Sequence, residues 1–152
     1  MSMLFTPGQL MASISLSKQQ WRTYRQALGP LNADGGRSPC FTVGDLLATA
    51  VVQFVSSSFS MPLSAFSSLA EPLFSVCGKY SWPQLERSYI SLVIDESRVV
   101  LVDVDYRHPP ISLAILIRLK PLALHLRQTL LADDPDPQHD LAFPPMIAGG
   151  RQ

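Results

Sequence analysis

The feature that most limits how this chain can fold is a pair of closely spaced helix-start signals, Thr6 and Ser17, each followed by a short amphipathic run. Thr6 caps a first helix with Pro7 at its first helical position, and Leu10, Met11 and Ile14 share one face at helical spacing. Ser15 and Leu16 break that helix. Ser17 caps a second helix, Lys18 to about Leu28, in which Trp21, Tyr24 and Leu28 recur at i, i+3 and i+7 and are expected to pack on the first. The stretch from Thr6 to Leu28 therefore predicts a helix-turn-helix. Its polar face carries Lys18, Gln19, Gln20, Arg22, Thr23, Arg25 and Gln26, with cations and amides but no acid. Such a face suits phosphate oxygens and base edges in a DNA major groove, where Arg commonly reads guanine and Gln adenine. A plain helical hairpin with a solvated polar face has the same pattern, so the neighbouring segments must decide between the two.

Residues 29 to 41, GPLNADGGRSPCF, place turn chemistry at Asn32 to Gly36 and let Arg37 to Phe41 return as a strand, which is wing-like. Thr42 then caps a third helix with Asp45 three residues on, a capping box with Asp in place of Glu. Taken together these residues make the chain resemble the DNA-binding domain of the MerR family of winged-helix transcription regulators. Laid without gaps, Gly8 and Leu10 fall on that family's I-G-E-L opening, and Ser17, Arg22 and Tyr24 on its S-x-x-T-L-R-Y-Y recognition helix. Phe41, Thr42, Asp45 and Leu46 fall on its Y-S-x-x-D-L helix start, and Met61 to Phe66 resembles its F-S-L-E-E-I fourth helix. There are departures. Pro39 stands at the family's wing arginine, with Arg37 two residues earlier as a substitute; Ser15 replaces the turn glycine, and Thr23 the first tyrosine.

What the resemblance implies is an α+β chain whose residues 1–79 form a MerR-like winged-helix domain of four helices with a short wing, binding operator DNA as a dimer. Lys18, Gln19, Gln20 and Arg22 are expected in the major groove, with Tyr24, Arg25 and Arg37 on phosphates. For Arg22 and Tyr24 the assignment comes from the resemblance; for the others it comes from helix position and side-chain chemistry.

The charge balance restricts how DNA is held. The 152 residues carry twelve cations and twelve acids, so no globally basic surface exists. Residues 1 to 79 hold five cations against three acids, and the remainder seven against nine, so binding must rest on a local patch. A hydrophobic content of 47% is enough for a substantial core.

Two cysteines, Cys40 and Cys77, without a C-x-x-C pair give neither a disulfide framework nor a tetrahedral metal site. Some MerR relatives sense metals or oxidants through a cysteine near the end of the fourth helix, roughly where Cys77 lies. Here Cys77 continues the apolar series Leu63, Phe66, Leu69, Ala70, Leu73 and Phe74 and reads as core. The first residues lack a basic n-region and an apolar h-region, and no apolar run is long enough to span a bilayer, so the expectation is a cytoplasmic protein without membrane contact.

Helix three is predicted from Val43 to Ser57, burying Leu46, Leu47, Ala50, Val51, Phe54 and Val55, and the serine run Ser56 to Ser60 ends it. Helix four opens near Ser60 or Met61 and is expected to kink or end at Pro72. Family members continue into a long coiled-coil helix at this point. This chain does not: Gly78, Tyr80, Trp82 and Pro83 interrupt the pattern.

Residues 80–131 read instead as a small α/β unit, an antiparallel meander plus a helix. Tyr89 to Ile94 and Val99 to Tyr106 flank a turn at Asp95 to Arg98, and Ile111 to Leu119 follow as a third strand. A helix from Pro121 to Leu131 carries Leu122, Leu126 and Leu130 on one side, and the Pro- and Asp-rich tail 132–152 is expected to be disordered. Asp103 and Asp105 share a face if the strand runs through them, and with His108 they have the residue types of a metal site. No third carboxylate or second histidine lies nearby, so they read as a solvated sheet edge. An apolar effector pocket against Tyr80, Trp82 and Tyr89 has only aromatic content behind it, and aromatics are mostly core.

With no nucleophile elbow, P-loop or dinucleotide fingerprint, no enzyme, cofactor or metal is expected. The partners expected are double-stranded DNA and a second copy, paired through residues 80–131. The alternative is a protein–protein adaptor that keeps the winged fold and acts through its β half.

Overall fold

A computed structural model describes residues 3–32, 40–107 and 110–132. The fold is α+β, six α-helices and one three-stranded antiparallel sheet among the described residues. Helix α1 spans Pro7–Ser13 and α2 Lys18–Ala27. Both start at the residues the sequence assigned. The Thr6 hydroxyl accepts from the Gln9 amide and the Gln9 side chain accepts from the Thr6 amide; Ser17 and Gln20 make the same reciprocal pair. Each box satisfies two amides that a helix start otherwise leaves unpaired.

Between the two helices Ser15 adopts the left-handed conformation, φ 58°, at the position where a glycine was noted as replaced. A short turn, Gly29–Asn32, follows α2. Phe41 then pairs with Phe5 as an isolated antiparallel bridge, with the Phe5 amide 2.7 Å from the Phe41 carbonyl. The rest of the expected wing, residues 33–39 with Arg37, lies outside the described residues, as do His108 and the tail from 133 onward.

Helix α3, Val43–Phe59, is the centre of the molecule. Its Thr42–Asp45 capping box forms as predicted, and Ser60 closes it in the left-handed conformation, φ 54°. Nine of its residues are buried, because neighbouring elements crowd it from several sides: α4, Ser67–Lys79, and α6, Leu119–Ala132, both pack on it. Phe54, expected in the core, is instead half exposed. It lies on the strip that α3 shows to solvent together with Ser57 and Ser58.

Pro72 neither ends nor interrupts the fourth helix. The chain takes a 3-10 turn at Leu63–Phe66, and α4 then runs through Pro72 to Lys79. Losing one ladder bond costs about 3 kcal/mol in a helix interior. Burial of Leu69, Leu73, Phe74 and Cys77 on one face, at roughly 1.5–3 kcal/mol for a large apolar side chain, outweighs it. A further helix, α5, Trp82–Glu86, occupies the segment read as a break. Ser81 caps it and Pro83 sits in its first turn, where a missing amide is harmless.

The sheet consists of β1, Tyr89–Val93, β2, Arg98–Val102, and β3, Ala114–Arg118, in the order β2-β1-β3. This corrects the meander. β1 is the central strand, pairing Ile90 with both Leu101 and Ile117 and Leu92 with both Val99 and Ile115. The physical reason is burial on both faces: Ile90 and Leu92 on one side, Ser91 and Val93 on the other, are all nearly inaccessible. The segment 103–113 is long enough to carry the chain from one edge to the other.

α6 begins two residues earlier than expected, directly after β3. Leu119, Ala123 and Leu126 turn inward, with Leu122 and Leu130 partly buried beside them, and the helix packs on α1, α3 and α5. The leucine stripe therefore serves the chain's own core. At its far side Trp82 Nε1 donates to Glu86 Oε2 at 2.7 Å, and Arg127 reaches the same carboxylate oxygen at 3.7 Å, linking α5 to α6. One apolar cluster runs from Phe5 through Leu47 and Leu73 to Ile90 and Leu126. No helix among the described residues is long and apolar enough to cross a membrane.

Candidate functional site

The solvent face of α2 is where the sequence placed its chemistry, and its geometry follows from what holds the helix down. Trp21, Tyr24 and Leu28 are buried. Trp21 meets Phe41 edge to face, ring centroids 5.7 Å apart at 88°, so the helix rests on the Phe5–Phe41 bridge. The turn before it is tied to α3 by the Gln53 side chain, whose Nε2 donates to the Ile14 carbonyl at 2.7 Å. These contacts leave Lys18, Gln19, Gln20, Arg22, Thr23 and Gln26 exposed and Arg25 half-buried.

The predicted site residues differ in how free they are to meet a partner. Lys18, Gln19 and Arg22 are exposed and reach outward from the first turns of α2. Gln20 is exposed but committed, because its Oε1 accepts from the Ser17 amide at 2.8 Å. A bidentate contact to adenine needs that oxygen as acceptor, so Gln20 keeps only its amide donors for a partner. Tyr24 is only 7% exposed, and burial pushes its phenol above the ordinary value of 10.0. Its ring packs into the core beside Trp21 and Leu28. Arg37 lies outside the described residues.

Arg25 is held most firmly. Its Nε donates to Asn32 Oδ1 at 3.0 Å, Asn32 Nδ2 donates back to the Arg25 carbonyl at 2.6 Å, and the guanidinium lies 5.9 Å from the centre of the Trp21 ring. Arg22, Arg25, Gln26 and Asn32 together line a shallow depression of about 280 Å³. Asn32 was read only as turn chemistry. Nothing in the sequence marks it as a partner of Arg25, since the two meet only because the Gly29–Asn32 turn folds back along α2.

The other sequence candidates separate rather than converge. β2 ends at Val102, so Asp103 and Asp105 sit in a turn, with Asp103 Oδ1 accepting from the Asp105 amide at 3.0 Å. The same-face geometry of a strand does not apply to them, and no group of three metal-binding side chains occurs among the described residues. Of the aromatics offered for an effector pocket, Trp82 is in the core. Tyr89 lines a hollow of about 200 Å³ with Val102, Asp103, Val104, Tyr106 and Leu116, without Tyr80. Cys77 is buried and its thiol is pushed up to about 12, first by burial and then by the Asp45 charge. It is a packing residue.

Comparison with known proteins finds no matching family model, no matching curated protein and no matching solved structure.

Proposed function

We propose that this protein is a sequence-specific DNA-binding transcription regulator of the MerR type that binds operator DNA as a dimer. One observation carries the reading: the open face of α2 presents Lys18, Gln19, Arg22 and Gln26 with no acid, while the opposite face packs on the Gly29–Asn32 and Leu63–Phe66 turns and on the Phe5–Phe41 bridge. A rigid helix offering cations and amides to solvent is what major-groove recognition requires. Lys18, Gln19 and Arg22 read base edges, and Arg25, with Arg37, takes phosphates.

A single helix-turn-helix reads few base pairs, so pairing over two half-sites follows from the same reading. With the α6 leucines turned inward, the dimer surface within residues 80–131 is an apolar patch at the edge of the sheet, where Leu116 on β3, Leu113 before it and Val104 after β2 are more than half exposed and Tyr106 is partly so. The same apolar face supports the second reading, an adaptor that binds another protein, for which the net charge of zero is the better argument.

Fluorescence anisotropy of the full-length protein with duplex DNA from its own upstream region, against a scrambled duplex, separates the two. A regulator binds the first preferentially, loses affinity steeply with salt, and loses about 1–3 kcal/mol in Arg22→Ala. Negligible binding to both duplexes at low salt excludes it and leaves the adaptor.

A further inference from the structure

We propose that Arg25 and Asn32 form a preorganised clamp for a single DNA phosphodiester, with Gln26 completing its donors and Arg22 bordering it on the base-reading side. The clamp rests on the DNA-binding reading above and adds to it a positioning residue, Asn32, together with a division of labour along α2.

The argument begins with the guanidinium. An arginine on a helix surface ordinarily samples many rotamers, and holding it against a partner costs conformational entropy. Arg25 is held beforehand. Its Nε is taken by Asn32 Oδ1, its planar group lies by the Trp21 ring, and Asn32 is itself fixed by its bond to the Arg25 carbonyl. The two terminal NH2 groups of Arg25 remain as donors, and their plane is set by the protein.

Next comes the electrostatics. Arg22 and Arg25 are three residues apart on one helix, so both cations border the same depression, and among the described residues its lining of Arg22, Arg25, Gln26 and Asn32 contains no carboxylate. Two like charges on one rim are relieved by an anion. The side chains offer only N–H donors toward it, apart from the amide oxygens, of which that of Asn32 is already engaged. A phosphodiester matches this set, since its two unesterified oxygens accept from a planar fork in bidentate fashion.

Last comes the place of the depression. It lies toward the C-terminal end of α2, while Lys18, Gln19 and Arg22 occupy the N-terminal turns. Recognition helices commonly put their first residues on base edges, and a backbone contact farther along fixes the docking angle. Asn32 thus acts through Arg25, and the clamp contributes affinity without base preference.

The experiment compares wild type, Asn32→Ala and Asn32→Asp as full-length proteins, measuring anisotropy on the upstream and scrambled duplexes across a salt series, with urea midpoints alongside. Asn32→Ala is expected to weaken both duplexes alike, by roughly tenfold, and to flatten the slope of log K against log salt by about 0.9. Asn32→Asp keeps an acceptor for Arg25 Nε but loses the Nδ2 donor to the Arg25 carbonyl and cancels the charge, so it is expected to lose at least as much. If Asn32 only held the turn, Asn32→Ala would lower the urea midpoint yet bind both duplexes with the wild-type affinity and salt slope, and that result overturns the clamp while leaving the regulator reading in place. Loss confined to the upstream duplex would make these residues base readers and overturn it too. Failure of the wild type to bind either duplex removes both proposals together.

Discussion

Gln53 on α3 and Ile14 at the end of α1 are joined by one hydrogen bond, Nε2 to carbonyl oxygen at 2.7 Å, across 39 positions of sequence. The bond is half-buried and occupies a carbonyl at the helix end, where the α-helical ladder has no partner to give. It also ties the Ile14–Ser17 turn, which leads straight into α2, to α3. Replacing Gln53 by Ala leaves the carbonyl unpaired and is expected to lower stability by about 1–2 kcal/mol in urea titration. Gln53→Glu is expected to do worse, since a carboxylate would face the carbonyl without a donor between them.

Ser15 gives the opposite sign. Its φ of 58° lies in the left-handed region, which costs an L residue about 1 kcal/mol or more and a glycine almost nothing. The side chain is exposed, so little packing is lost on its removal. Against this stands the greater backbone freedom that glycine brings to the unfolded chain, about 0.4–1 kcal/mol. The strain term is the larger. Ser15→Gly is therefore expected to raise the melting temperature by one or two degrees in calorimetry, with α2 unchanged by circular dichroism.

At Gly44, helix propensity and packing disagree, and the magnitudes decide. An exposed helix position gains up to about 1 kcal/mol when Gly becomes Ala. At this buried position in the first turn of α3 an added Cβ would lie only 2.4 Å from the Cys77 carbonyl oxygen and 2.9 Å from its carbon. Those are backbone atoms of α4, so the two helices would have to separate. Gly44→Ala is expected to destabilise by about 3 kcal/mol, read as a shift of the urea midpoint at constant slope.

How much of this was legible in the sequence follows from the range of each interaction. Thr6, Ser17 and Thr42 act within three residues of themselves, and their helices start where the chain says they should. The apolar strands were visible for the same reason, but alternation says which residues point inward and not which strand lies in the middle. The order β2-β1-β3 depends on both faces of β1 being covered, a tertiary fact. Pro72 and Pro83 read as breakers because their local cost is known, whereas the burial that offsets it at Pro72 comes from distant residues. In the candidate site the exposed row of Lys18, Gln19 and Arg22 was readable from helical spacing. The commitment of Gln20 to its own cap, the burial of Tyr24 and the Arg25–Asn32 pair were not, since each requires the turn or the packing to exist first.

Cys77 connects core packing to pH. Burial and the Asp45 charge raise its thiol from 9.0 to about 12 in the folded chain. The folded state therefore holds this proton over a range in which the unfolded state has released it, and stability falls as pH rises. Below pH 9 the two states are protonated alike and the difference vanishes. Between pH 9 and 12 each unit costs about 1.4 kcal/mol, so moving from pH 8 to pH 10 is expected to remove about 1.4 kcal/mol through this group alone. Urea titrations of wild type and Cys77→Ala at both pH values isolate the effect. The variant is less stable at pH 8 because of the cavity it leaves, and the gap should narrow at pH 10 by that amount. An unchanged gap would mean that the thiol titrates in the folded protein as it does in the unfolded one, contrary to its place in the core.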